Sequence, residues 1–135
     1  MTCAVVAPSL ALAGPAQATV CAGQRSSAGP VSVTACVAKS LGKGTVSAKI
    51  EKSRSGARSL TVHWRYSVSN RGAHDKPVGW VPSNWAVSYA TVRAATTYGT
   101  LKSGIGTDCV RLELYVESGG AKGRTVSNYT CQKSA

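Results

Sequence analysis

The sequence predicts an all-β chain: a small antiparallel β-sandwich, with a Greek-key barrel as the alternative, built of six to seven strands and stapled by two disulfides. Three observations predict it. Apolar residues recur with period two over several stretches, Gly- and Ser-rich segments separate them, and four cysteines remain once an export signal is set aside.

The export signal comes first in the chain. Residues 1–18 carry no charge and end in Ala16-Gln17-Ala18, the small-residue pattern of a signal-peptide cleavage site. The basic stretch that usually opens a signal is missing, so the true start is expected to lie upstream or to have been trimmed. Pro8 and Pro15 argue against a strand or helix here, and the run is shorter than a membrane span requires. The mature chain, residues 19–135, is expected to be a single soluble domain. Cleavage removes Cys3 and leaves Cys21, Cys36, Cys109 and Cys131, an even number suited to bridges in an oxidising compartment. The overall residue bias fits GC-rich coding, so a bacterial extracellular protein is the expectation.

The elements follow in order. Thr19 to Ala22 is expected to be clipped by Cys21–Cys36 onto a strand that begins at Val31, across a Ser-Ser-Ala-Gly-Pro turn. Thr34 to Leu41 is ambiguous, because Thr34 could cap and Gly42 end a short helix. Val46, Ala48 and Ile50 then alternate with polar residues, as do Leu60, Val62, Trp64, Tyr66 and Val68. A hairpin about Gly56 would set Ile50 against Val62, Ala48 against Trp64 and Val46 against Tyr66, with every apolar residue on one face.

Trp85 to Ala95 carries apolar residues on both faces and reads as a central, covered strand. The segments 70–84 and 96–108 read as loops. Val110, Leu112, Leu114 and Val116 alternate with Arg111, Glu113, Tyr115 and Glu117. Folding that strand back about Gly120 puts Leu114 opposite Val126, Glu113 opposite Ser127 and Cys109 opposite Cys131. Cys109–Cys131 is therefore the expected bridge, and Cys21–Cys36 follows as the other pair. Asn128 then falls on the apolar face and needs a hydrogen-bond partner.

Candidate chemistry is sparse. Glu113 and Glu117 stand about 13 Å apart along one strand, too far for a glycosidase pair. His74-Asp75 could in principle serve Ser83 or Ser88, but no nucleophile elbow accompanies them. Two histidines far apart in sequence give no metal-ligand spacing, and no cofactor motif is present. The expectation is a binding protein rather than an enzyme.

Sixteen Lys and Arg against five Asp and Glu give a net charge of +11, a field that attracts polyanions. The expected binding residues are Lys49, Lys52, Arg54, Arg58, His63 and Arg65, as a basic stripe on the first hairpin, with Trp80 from the 71–85 loop adding a ring contact. Of the two tryptophans in that segment, Trp80 is expected to be more exposed than Trp85. The partner expected from this set is an anionic polymer or cell surface, or an extracellular protein, with nucleic acid less favoured. Two other readings fit the composition: a secreted protease inhibitor presenting Lys39-Ser40 or the 71–85 loop, and a subunit or adaptor of a secreted protein or toxin assembly.

Overall fold

The computed structural model describes residues 11–12 and 19–132, and among these twelve strands form two antiparallel sheets that face each other across one apolar core. Seven of the strands have six or more residues, and these carry the core. The first sheet orders β1 (Ala11–Leu12), β9 (Thr96–Gly106), β5 (Lys43–Lys52) and β4 (Val31–Ser40). Its last position is shared by β2 (Thr19–Cys21) and β3 (Ser26–Ala28), both paired to β4. In the second sheet β10 (Cys109–Ser118) lies beside β6 (Arg58–Ser69). The short β11 (Ala121–Lys122) and β12 (Val126–Cys131) flank β10, while β7 (Val81–Pro82) and β8 (Ala86–Val92) flank β6.

Period-two patterning builds both inner faces. Val31, Val33, Ala35 and Val37 from β4 and Val46, Ala48 and Ile50 from β5 meet Leu60, Val62 and Trp64 from β6 and Val110, Leu112, Leu114 and Val116 from β10. Each such Val or Leu contributes about 1.5–3 kcal/mol by leaving water. Ala35, Ala48 and Gly99 stand in register across the first sheet, a row of small residues in a core that also has to hold Trp64. The Trp64 indole N–H, buried there, donates to Ser88 Oγ at 3.0 Å.

The C-terminal hairpin has the expected register, with Leu114 opposite Val126, Glu113 opposite Ser127 and Cys109 opposite Cys131. Both bridges form as paired above, Cys21–Cys36 and Cys109–Cys131, each between directly opposed residues of neighbouring strands. Asn128 finds its partners across the sandwich: its amide donates to the Val20 and Ala35 carbonyls at 2.8 and 3.1 Å.

Three expectations need correction, and one ambiguity is settled. There is no hairpin about Gly56: β5 pairs with β4 and β9, β6 pairs with β10 and β8, and the intervening residues cross from one sheet to the other. Alternation fixes which residues point inward, and a crossover meets that demand as well as a hairpin does. Residues 96–106 are a strand rather than a loop; irregular register opposite Gly44 to Ser47 breaks the period that would have marked it. The strand from Ala86 lies at an edge beside β6 alone, and Tyr89 on its outer side and Trp85 just before it are exposed. Residues 34–40, open in the sequence between strand and short helix, are strand throughout.

Residues 1–10 and 13–18 lie outside the described residues, so most of the expected signal segment does too. Ala11 and Leu12 pair with Thr100 and Gly99 at the edge of the first sheet.

Gly123 marks where β3 and the C-terminal hairpin close on each other. A Cβ there would meet Ser26 Oγ and stand 2.7 Å from the Ser27 nitrogen, while Ser26 Oγ itself accepts the Val116 N–H. Gly123→Ala is therefore expected to destabilise the fold by about 1–3 kcal/mol. Urea unfolding measures this directly, and an unchanged midpoint would contradict the packing described.

Candidate binding surface

Crossing between sheets divides the expected basic stripe. Lys49 faces outward from the first sheet, its ammonium 6.0 Å from the Tyr98 ring centroid. His63 and Arg65 face outward from the second sheet, on the opposite side of the molecule. Lys52, Arg54 and Arg58 lie at the end of the sandwich where the chain crosses over. Trp80, in the loop after β6, covers the same outer face as His63 and Arg65. The structure thus groups three of the seven residues on one face and three at one end, and leaves Lys49 apart.

Residues that the stripe did not include dominate the second sheet's outer face. Arg111, Glu113, Tyr115 and Glu117 of β10 stand opposite Ser67, Arg65, His63 and Thr61 of β6. Glu113 holds two guanidinium groups: it accepts from Arg65 Nε at 2.8 Å and lies 3.5 Å from an Arg111 nitrogen. Each guanidinium also lies over a tryptophan ring. Arg65 is 5.0 Å from the Trp85 centroid and Arg111 is 4.9 Å from that of Trp80. Trp80 meets Tyr129 edge-on, Trp85 tilts against Tyr115, and Tyr115 stacks on His63, whose Nε2 bonds to Glu117. Lys122 lies 4.7 Å above the Tyr115 ring. Cation and ring thus alternate across the face, each contact contributing about 0.5–1 kcal/mol where exposed.

The Trp80 loop is tied down at its base. Ser69 Oγ accepts the Val78 and Gly79 N–H groups at 3.0 and 3.1 Å, and Ser83 N donates to the Tyr66 carbonyl at 2.7 Å. These bonds hold Trp80 over Arg111. Trp85 is 44% exposed and Trp80 is the more buried of the two, which reverses their expected order.

The cations at the crossover end gather from three connections. Lys52 N bonds to the Ala95 carbonyl, Ser53 N to the Pro30 carbonyl, and Arg58 pairs with Val92, next to Arg93. Lys52 Nζ donates to the Arg54 carbonyl. Arg54 and Arg93 are exposed, and no carboxylate pairs with either among the described residues. The acids are engaged elsewhere: Glu51 with Arg25, Asp75 with Arg71, and Asp108 with the Arg71 N–H.

The remaining candidate groups are widely placed. His74 and Asp75 adopt left-handed backbone angles in an exposed turn, and Asp75 faces Arg71. Ser88 Oγ accepts the Trp64 indole N–H inside the core, and Ser83 Oγ accepts the Tyr66 N–H. Lys39 belongs to the paired strand β4, and its ammonium donates to the Thr107 and Ser40 carbonyls at 2.6 and 3.2 Å. Burial lowers the Lys39 pKa from its ordinary value, and the Asp108 charge partly offsets that. No three His, Cys, Asp or Glu side chains gather closely enough to hold a metal among the described residues.

Fold and surface together define the class: an antiparallel, doubly bridged β-sandwich that carries an aromatic and cationic face on its second sheet. No protein-family model matches the chain, and comparison with curated proteins and with solved structures returns no match.

Proposed function

We propose that this chain is a secreted, non-enzymatic binding domain that takes an anionic glycan of a cell wall or extracellular matrix across the outer face of its second sheet. One observation carries the reading. The chain has three Trp and five Tyr, and five of these, Trp80, Trp85, Tyr89, Tyr115 and Tyr129, lie on that one face among Arg65, Arg111 and Lys122. Trp85, Tyr89 and Tyr129 are exposed there.

The exposed rings of Trp85, Tyr89 and Tyr129 can meet the C–H faces of sugars, and neighbouring cations attract the carboxylates or phosphates of an acidic chain. The same face runs to the crossover end, where Arg54 and Arg93 add unpaired charge. Secretion is supported by the two bridges, which persist in oxidising compartments. No helix among the described residues is long and apolar enough to cross a membrane.

Co-sedimentation of residues 19–135 with bacterial cell walls at low and high salt tests the proposal. The expected result is binding that weakens steeply as salt rises, since exposed charges are screened beyond about 8 Å at 0.15 M. The double change Arg54→Ser, Arg93→Ser is expected to weaken binding further at low salt. Absence of binding even at low salt would overturn the reading and direct the search to a protein partner.

A further inference from the structure

A groove of about 510 Å³ opens where the aromatic face meets the crossover end, between the ends of β6, β8 and β10. We infer that it is a subsite for a neutral pyranose unit of the bound chain; the inference rests on the reading of this face as a glycan surface.

The lining has the chemistry of a sugar site. Ser59, Thr61, Thr91 and Ser118 supply aliphatic hydroxyls, Tyr89 supplies a ring, and Glu117 supplies a carboxylate. Thr61 stands directly between Tyr89 on β8 and Glu117 on β10, so hydroxyl, ring and carboxylate share one row across three strands. The hydroxyls are oriented by their neighbours. Ser118 Oγ donates to the Ser59 carbonyl at 2.7 Å, which leaves its lone pairs to accept from a ligand, and the Ser59 and Thr91 oxygens lie 3.3 Å apart. The turn that closes the groove, Gly119-Gly120, has φ of 57° and 82° at its two residues, a backbone that glycine adopts freely. No side chain at those positions narrows the opening.

Charge selects which sugar enters. Glu117 bonds to His63 through one oxygen and stands opposite Lys122, and its other oxygen can accept from neutral ring hydroxyls but not from a ligand carboxylate or phosphate, which brings no donor. Anionic units of the same chain would fall instead beside Arg65 and Arg111, or at Arg54 and Arg93 beyond the groove. The face therefore fits a chain that mixes neutral and acidic units.

Amide and indole NMR signals of the mature protein, titrated with two sets of probes, test this. One set is neutral hexasaccharides of glucose, mannose, galactose or N-acetylglucosamine, and the other is hexagalacturonate. At least one neutral probe is expected to shift Thr61, Tyr89, Thr91 and Ser118, and Tyr89→Ala is expected to weaken that binding roughly tenfold or more. Hexagalacturonate is expected to shift the Trp80 and Trp85 indoles. If no neutral probe shifts the groove while hexagalacturonate still moves the indoles, the subsite is overturned and the glycan face stands. If the groove responds and the indoles do not, the subsite stands and the anionic-glycan reading falls. Silence at both would overturn both.

Discussion

Replacing Cys109 and Cys131 together by alanine is expected to lower the melting temperature by roughly 10–15 °C, as followed by far-UV circular dichroism. The bridge closes a loop with a sequence separation of 22 residues, and in the chain-entropy account its loss costs about 3 kcal/mol through the unfolded state. Native geometry adds to that. Cys109 is fully buried, and the bridge holds β12 against β10 at the far end of a ladder whose middle contains Asn128. That amide reaches across to the Ala35 carbonyl of β4. Freeing the end of β12 thus loosens a tie between the two sheets as well as a hairpin. A fall of less than about 2 °C would contradict this account of how the C-terminal hairpin is held.

The second large effect is on binding. Trp80→Ala combined with Trp85→Ala is expected to lower affinity for acidic glycan by roughly a hundredfold, because aromatic anchors carry a disproportionate share of such contacts. Two losses act together. The rings no longer meet the ligand, and Arg111 and Arg65 lose the surfaces that hold them in place. The fold should survive, since each tryptophan lies outside the core and its cation contact is worth about 1 kcal/mol or less. Isothermal titration with polygalacturonate, paired with a thermal melt, separates the two effects. Lys49→Ser, on the opposite face, is the matched control and should leave affinity unchanged. Equal affinity of the double variant and the parent would remove the tryptophans from the site.

Much of the fold is legible in the sequence because alternation and cysteine position constrain each other. In the C-terminal hairpin, one register satisfies the apolar alternation, the glycine turn and the Cys109–Cys131 pair at once. The β5–β6 segment has no such third constraint. Its inward residues are correctly marked, but a hairpin and a crossover bury the same set, so the partner strands were not legible. Strand β9 was hidden for a related reason: Gly99, Gly104 and Gly106 resemble loop composition, and the irregular register beside β5 interrupts the period.

The candidate site was legible only in parts. Arg65, His63 and Trp80 are named by their residue types, but their grouping depends on β10 lying beside β6, a pairing of strands forty residues apart in the chain. With that pairing known, the alternate outward residues Arg111, Glu113, Tyr115 and Glu117 complete the face. Trp85, just before β8, and Tyr89 within it misled for a physical reason. Apolar residues on both sides of a strand ordinarily mean burial on both sides, and here the outer ones are surface rings.

Hydroxyl-radical footprinting of the protein bound to cell walls tests the central claim most directly, because it reads the aromatic side chains one by one. Trp80, Trp85, Tyr89 and Tyr129 are predicted to be protected on binding. Tyr98, exposed on the outer face of the first sheet beside Lys49, is predicted to oxidise at an unchanged rate. Protection of Tyr98 with continued oxidation of Trp85 and Tyr89 would place the ligand on the opposite face and contradict the account.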